Sequence, residues 1–142
     1  MAISNFNLFS NLIPKASTYY MSTTGSIRQA LEKFDFHKFT VVPLLDEEGN
    51  YISTVSEGDL LRYIKQTNGL NLKKLENVLL KDIEHYRPYK SLRIDCDFKE
   101  ILNLAQEQNF IPIVDDRGKF IGILKRRTIL QYLIENTYPL IK

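Results

Sequence analysis

The stretch PLLDEEGNYI, at Pro43–Ile52, returns 69 residues later as PIVDDRGKFI at Pro112–Ile121. Extended over Pro43–Ile64, the comparison gives 22 aligned pairs, of which six are identical. Chance at ordinary residue frequencies would supply roughly one or two identities. A repeat of this length indicates that the chain contains two copies of one supersecondary unit.

Upstream of this stretch, each copy contains a segment with the spacing of a helix that has one buried face. Its apolar residues recur at i, i+3, i+4 and i+7: Ile27, Ala30, Leu31 and Phe34 in the first copy, and Phe98, Ile101, Leu102 and Ala105 in the second. A capping-box signature precedes each helix, with Ser26 and Gln29 in the first copy and Asp97 and Glu100 in the second. In such a box the cap oxygen and the third side chain satisfy two free backbone N–H groups.

Short β-rich runs follow the predicted helix in both copies. We predict strands at Thr40–Leu45 and Phe110–Val114, and a shorter strand ahead of each copy near Thr18–Met21 and near Ser91–Ile94. A second helix is predicted where Leu60, Leu61 and Ile64 match Ile129, Leu130 and Leu133. Each copy therefore reads β-α-β-β-α, and the predicted fold class is α/β (α+β).

The turn inside each copy carries Asp at its first position and Gly at its fourth, a pattern that a type I turn favours. The two turns are Asp46–Gly49 and Asp115–Gly118. Pro43 and Pro112 cannot donate to a strand ladder, so we predict that the strand is exposed or irregular at each proline.

The domain organisation follows from the repeat. We predict an N-terminal segment at 1–14, a first repeat at 15–66, a connector at 67–86, and a second repeat with a C-terminal helix at 87–142. The N-terminal segment should form an amphipathic turn or helix that packs on the domain and ends at Pro14. Apolar spacing in the connector predicts a short helix, from Leu72, Leu75, Val78 and Leu79.

Composition excludes several classes of protein. Of 142 residues, 44% are hydrophobic and 25% charged, which is ordinary for a globular chain, and a formal net charge of +2 gives little reason to expect nucleic-acid binding. The single cysteine, Cys96, fits a reducing, cytoplasmic setting, and no apolar run is long enough to span a membrane. Cys96, His37 and His85 lack metal-ligand spacing, and no nucleophile–base pair is visible. We therefore expect no enzyme, no metal and no required cofactor.

Both copies resemble the CBS domain, named after cystathionine β-synthase. The resemblance rests on Thr40–Asp46, Gly49 and Ser56–Leu61 in the first copy, and on Phe110–Leu124 in the second. Two such copies in tandem resemble a Bateman module and the small stand-alone bacterial CBS-pair proteins. The resemblance implies a flat pseudo-two-fold disc that binds an adenine nucleotide (AMP, ADP, ATP or cyclic di-AMP) in clefts between the copies. It also implies a homodimer and an effector protein to which the signal passes.

The motif Ser56-Glu-Gly-Asp59 permits two interpretations. Ser56 and Asp59 can form a capping box, or the helix start can hold a phosphate while the carboxylate accepts two ribose hydroxyls. The resemblance favours the second, since the family motif Ser/Thr-x-x-Asp matches here. It also implies that Thr40, Pro43, Ile111 and Pro112 line an adenine slot, and Tyr20 could stack on a base or fill the core.

At the equivalent place the second copy reads Lys125-Arg126-Arg127-Thr128, so the motif is broken. Three adjacent cations at a helix start oppose the helix dipole, and an anionic ligand would compensate for them. The alternative is a solvated basic face. Among cyclic di-AMP-binding relatives an Arg pair at this point contacts phosphate, and Arg126 with Arg127 matches it.

Three functions remain open from the sequence. The first is a non-enzymatic sensor that binds an adenine nucleotide and relays this to a partner. The second is a protein-interaction scaffold with degenerate clefts, which the broken second motif favours. The third, nucleic-acid binding through Lys125–Arg127, is opposed by the small net charge.

Overall fold

A computed structural model describes residues 5–67 and 71–137. Parts of the predicted N-terminal segment, connector and C-terminal helix, at 1–4, 68–70 and 138–142, lie outside the described residues. The described helices are α1 (Leu8–Asn11), α2 (Ile27–His37), α3 (Glu57–Gln66), α4 (Leu72–Leu75), α5 (Phe98–Ala105) and α6 (Arg126–Thr137). The strands are β1 (Ile13–Pro14), β2 (Met21–Ser22), β3 (Val41–Leu45), β4 (Tyr51–Ser56), β5 (Leu92–Arg93), β6 (Phe110–Val114) and β7 (Phe120–Lys125).

The chain divides into two compact units. One unit, Tyr19–Pro88, contains the first repeat and the connector. The other joins the described residues up to Thr18 to those from Tyr89 onward, and it contains the second repeat. The predicted mixed α/β class is confirmed, because each unit has a small sheet with helices packed on it.

The sheet of the first-repeat unit has the order β2-β3-β4, with β2 parallel to β3 and β3 antiparallel to β4. Its core consists of apolar side chains from the sheet, from α2 and α3, and from the connector residues Leu75, Leu80 and Ile83. The predicted connector helix is present as the single turn α4, and the connector residues from 76 to 86 are largely irregular.

The sheet of the second-repeat unit has the order β1-β7-β6-β5, so it carries one strand more than its counterpart. The extra strand β1 pairs antiparallel with β7, and Pro14 lies opposite Gly122. A Cβ atom at Gly122 would lie 2.2 Å from the Ile13 carbonyl oxygen. The N-terminal segment thus forms the predicted helical turn, α1, but it continues into a strand that its sequence did not indicate, because the pairing partner is distant in the chain.

Both predicted capping boxes are confirmed. Ser26 and Asp97 accept from the third backbone N–H of α2 and α5, and the Gln29 and Glu100 side chains accept from the cap N–H groups. Ile27 and Ile101 are fully buried, while Leu31 and Leu102 are partly buried against the two cores.

The two hairpin turns also follow the prediction. The N–H of Gly49 donates to the carbonyl of Asp46 at 3.1 Å, and the N–H of Gly118 donates to that of Asp115 at 3.1 Å. Both glycines have positive φ, 86° and 82°, which explains the residue type.

The expectation of exposure at the two prolines is wrong, since both side chains are buried. Pro43 is tolerated inside β3 because β2 pairs only with Leu44 and Leu45, so no partner strand needs the missing N–H. Pro112 in β6 is tolerated in the same way, since β5 pairs only with Ile113 and Val114. The predicted irregularity is present one residue further on in each strand, between Leu44 and Leu45 and between Ile113 and Val114.

Candidate functional site

The start of α3 holds the first candidate motif, and the structure shows it as a complete capping box. The Asp59 N–H donates to Ser56 Oγ at 3.1 Å, and the Ser56 N–H donates to Asp59 Oδ2 at 2.9 Å. The capping interpretation is therefore confirmed. It uses one carboxylate oxygen of the residue that the family motif assigns to ribose.

The other oxygen of Asp59 faces the connector. The backbone N–H of Tyr86 donates to Asp59 Oδ1 at 2.8 Å, across 27 residues of chain. Arg62 Nη1 lies 3.7 Å from the same oxygen, and the Arg62 guanidinium stacks over the Tyr86 ring at 4.1 Å. Only 1% of the Asp59 side chain is exposed. In this structure the carboxylate is covered, so no ligand can reach it without a local rearrangement.

His85 completes the surroundings of Asp59. Its Nε2 lies 2.7 Å from the Leu80 carbonyl oxygen, which can only accept, so Nε2 carries a proton. Its Nδ1 is buried, has no hydrogen-bond partner among the described residues, and lies 3.8 Å from Asp59 Oδ2. If His85 is neutral, a lone pair on Nδ1 faces the carboxylate, and protonation turns this contact into an ion pair.

The pKa values of both groups follow from this arrangement. Burial alone would raise the pKa of Asp59, but the interaction with His85 and the N–H groups of Tyr86 and Ser56 together lower it. The pKa of His85 is raised above its ordinary value chiefly by the Asp59 carboxylate, while burial works in the opposite direction.

The start of α6 holds the second candidate motif, and its three cations differ in their surroundings. Arg126 is half-buried: its Nε donates to the Ala105 carbonyl at 2.6 Å and its Nη1 to Asn109 Oδ1 at 3.1 Å. It therefore ties α6 to the end of α5. Lys125 and Arg127 are exposed, and their side chains have no hydrogen-bond or ion-pair partner in the described part of the chain. Lys125 and Arg127 are therefore the two cations of this run with every donor available to an anion, whereas Arg126 has two of its five N–H donors engaged.

The two helix starts occupy equivalent places but have opposite charge. In both repeats the first helical N–H donates to the residue just before the hairpin, from Glu57 to the Thr40 carbonyl and from Arg126 to the Asn109 carbonyl. The first turn of α3 contains Glu57 and Asp59, whereas that of α6 contains no acidic residue. Thr128, the counterpart of Asp59, is half-buried.

The remaining candidate residues lie on the first strand of each hairpin or next to it. Thr40 is exposed directly before β3, and Tyr20, which is partly exposed, directly precedes β2. Ile111 and Pro112 are buried in β6, next to Phe110, which pairs with Lys125. Because the side chains of Pro43, Ile111 and Pro112 are buried, these residues could offer a ligand only their backbone groups.

The contacts of Asp59 with Tyr86, His85 and Arg62 were not anticipated from the sequence. The connector residues are not part of the repeat, and nothing in their spacing indicates that they approach α3. No cluster of three His, Cys, Asp or Glu side chains that could hold a metal occurs within 5–67 and 71–137. No helix in those ranges is both long and apolar enough to cross a bilayer.

Among curated proteins, the chain is similar to parts of two larger enzymes. The chain is 29% identical over 107 residues to homoserine O-acetyltransferase of Methanohalophilus mahii, covering 73% of this chain and 20% of the enzyme. It is 25% identical over 113 residues to inosine-5'-monophosphate dehydrogenase of Methanocaldococcus jannaschii, covering 78% of this chain and 21% of the enzyme. The chain thus spans about a fifth of the length of these relatives.

Comparison with solved structures finds chains of similar length. CbpB in complex with c-di-AMP has a TM-score of 0.85 and 18% identity, covering 97% of this chain and 91% of that chain. Listeria monocytogenes CbpB in complex with c-di-AMP has a TM-score of 0.74 and 22% identity, covering 96% and 100%. CBSX2 in complex with AMP has a TM-score of 0.68 and 21% identity, covering 94% and 99%. At these identities the likeness establishes a shared fold.

The family model for the CBS domain matches the chain twice, at residues 17–66 and 80–135. Each match overlaps one of the two repeats predicted from the sequence, and the second match begins at 80, within the predicted connector. Together the matches cover most of the chain. The chain therefore belongs to the CBS domain family and carries two CBS domains.

Proposed function

We propose that this protein is a regulatory module that binds an adenine-containing nucleotide and relays its presence to a partner protein. The proposal is supported by membership of the CBS family and by three proteins of the same fold that hold c-di-AMP or AMP. The observation that carries it in this chain is the pair of free, exposed cations at the start of α6, Lys125 and Arg127. A nucleotide sensor of this kind would work in the cytoplasm.

Each group at the start of α6 has a distinct role in this proposal. Arg127 binds phosphate oxygens through its planar guanidinium, which can donate two parallel hydrogen bonds. Lys125 adds a second positive charge at the end of β7. Arg126 is a positioning residue, because its donors already hold Ala105 and Asn109. Thr128 leaves room for an anion, since a carboxylate at that position would repel phosphate.

The first-repeat candidates would form a separate nucleoside site within their own unit. Ser56 and Asp59 would read the ribose there, and Thr40 and Pro43 would offer backbone groups to the base. Ile111 and Pro112 would offer backbone groups in the second-repeat unit, which also contains the cations of α6. Tyr20 is the aromatic candidate for stacking. Asp59 can take this role only after its present contacts open, because its side chain is buried.

A thermal-shift and calorimetry panel with AMP, ADP, ATP, S-adenosylmethionine, NAD and c-di-AMP tests the proposal. A ligand at 100 times its dissociation constant adds about 2.7 kcal/mol of stability. Loss of one charge-assisted contact costs about 1.5–3 kcal/mol, so Arg127→Met should weaken binding of the active nucleotide by about 10- to 100-fold.

Arg117→Met is the matched control, because Arg117 is also exposed but lies in the turn before β7. It should bind the nucleotide as the parent protein does. If every nucleotide leaves the melting temperature unchanged, the proposal is wrong. A steep salt dependence of RNA or DNA binding would favour the nucleic-acid alternative.

A protein-interaction scaffold is the second candidate function, and exposed apolar residues on the second helices favour it. Leu61 on α3 and its counterpart Leu130 on α6 are 53% and 50% exposed. A single exposed apolar side chain is ordinary, but a contiguous apolar patch is typical of a surface that another chain covers, and Leu61 and Leu130 could each contribute to one. We propose that a homodimer forms through these faces, and light scattering can measure it directly.

A further inference from the structure

Asp59 has a second feature that nucleotide recognition does not require: it holds the connector in place. The connector residue Tyr86 donates its backbone N–H to Asp59 Oδ1 at 2.8 Å, and His85 lies against the other carboxylate oxygen. Arg62 bridges the two elements, since it is 3.7 Å from Asp59 and stacked on Tyr86. These four residues, Asp59, Arg62, His85 and Tyr86, are called the connector latch below.

The latch occupies the acceptor positions that a ribose would need. Vicinal hydroxyls bind a carboxylate by donating to its oxygens. Here Oδ2 already accepts from Ser56 and Oδ1 from Tyr86, and the side chain is 1% exposed. The Ser56 bond belongs to the helix cap, so the Tyr86 bond is the one that can be exchanged without unwinding α3.

The backbone beside the latch is strained. Arg87 has φ of 50°, in the left-handed region that a residue with a side chain adopts only at an energetic cost. It also precedes Pro88, and the residue before a proline favours extended backbone. Such a conformation persists only where its surroundings hold it. The bond from Tyr86 to Asp59 is the adjacent contact that does so.

We propose that the connector latch is an autoinhibitory contact that a ribose-containing nucleotide opens by replacing the Tyr86 N–H on the Asp59 carboxylate. Ligand binding then frees the connector, and Arg87 relaxes toward extended backbone. This inference rests on the proposed function and gives it a means of relay. When a nucleotide occupies the Asp59 carboxylate, the segment that leads into the second repeat is released. When the carboxylate is free of ligand, that segment is held.

While the connector latch is closed, it competes with the ligand for the Asp59 carboxylate. A variant that weakens the latch should therefore bind the ligand more tightly. A ligand that binds only the open form has its affinity reduced by the fraction of protein that is open. At a pH below 6.5 the His85 imidazolium pairs with the Asp59 carboxylate. His85→Gln keeps a donor for the Leu80 carbonyl but removes that charge. At this pH it should therefore bind AMP more tightly than the parent protein, by about tenfold for the loss of one charge-assisted contact.

Amide hydrogen exchange followed by NMR on the full chain reads the latch directly. On saturation with AMP, the Tyr86 amide should exchange at least about tenfold faster, although ligands ordinarily slow exchange. The Gln29 amide, which is bonded to Ser26 in the cap of α2, is the internal control and should not change. 2',3'-Dideoxy-AMP has no hydroxyls to donate and should leave Tyr86 protected.

Arg93→Met is the matched control for His85→Gln, because Arg93 forms an ion pair with exposed Asp95 away from the latch. It should leave AMP affinity unchanged. The latch is refuted if AMP binds while Tyr86 exchange stays the same or slows, or if His85→Gln binds AMP no better than the parent protein. If neither AMP nor any other nucleotide of the panel binds, the proposed function itself fails, which is a distinct result.

Discussion

Replacing Gly122 by alanine should release the N-terminal strand from the second-repeat unit. The new Cβ atom would lie 2.2 Å from the Ile13 carbonyl oxygen, a backbone atom that cannot swing aside. Overpacking of this kind costs about 1–3 kcal/mol. A positive φ of 157° at this residue adds a backbone cost of order 1–3 kcal/mol. We expect a total loss of about 2–6 kcal/mol in the free energy of unfolding.

Gly118→Ala separates these two contributions. Gly118 also has positive φ, 82°, but a Cβ there meets nothing within 4 Å. It should cost only the backbone part, so the difference between the two variants measures the collision with β1. Ser53 occupies the position equivalent to Gly122 in the first repeat, where no strand like β1 pairs alongside.

Urea unfolding followed by circular dichroism is the appropriate assay, since the chain contains no tryptophan. At about 4 °C per kcal/mol for a domain near this size, Gly122→Ala should lower the melting temperature by roughly 8–24 °C. Amide exchange should show Ile13 becoming unprotected first. Equal losses of stability for Gly122→Ala and Gly118→Ala would refute the reasoning, because the contact with Ile13 would then have no energetic consequence.

Three further predictions concern the site. The Asp59 carboxylate raises the pKa of His85 above the ordinary 6.5, and the Arg62 guanidinium also faces this carboxylate. The first-repeat unit should therefore gain most stability from the pair of His85 and Asp59 below pH 6.5. Its stability should fall as pH rises through the raised value, and His85→Gln should remove this dependence in urea titrations at several pH values. Arg126→Met should cost about 1–3 kcal/mol, because it removes the charged donor of the partly buried Ala105 carbonyl. Arg127→Met should change stability by less than about 0.5 kcal/mol, and thermal unfolding compares the two variants. Leu61→Glu should convert the expected homodimer to a 16.6 kDa monomer in light scattering, and a parent protein that already scatters as a monomer at tens of micromolar would contradict the dimer.

Much of the candidate site could be located from the sequence, but the sequence did not indicate which of its side chains are free to bind a ligand. The motif at Ser56 and Asp59 and the basic run at Lys125–Arg127 lie at helix starts, as the repeat predicted. The structure decided which groups are available: Asp59 is covered and Arg126 is already bonded. A side chain's availability depends on what packs against it, and those neighbours come from distant parts of the chain.

The sequence by itself determined the features that depend on residues within a turn of each other. The helix faces, both capping boxes and the two Asp-to-Gly turns are local, because each is set by side chains and backbone groups at most a few positions apart. Because the chain contains two copies of the unit, each of these sequence patterns occurs twice.

Only the tertiary structure decided the pairing of β1 with β7, the burial of Pro43 and the bond from Tyr86 to Asp59. Each of these depends on which strand edge or helix end another segment reaches in space. Such an approach is fixed by the packing of the whole unit and leaves no periodic pattern in the segment itself. For that reason the connector, which lies outside the repeat, was the part of the chain about which the sequence indicated least.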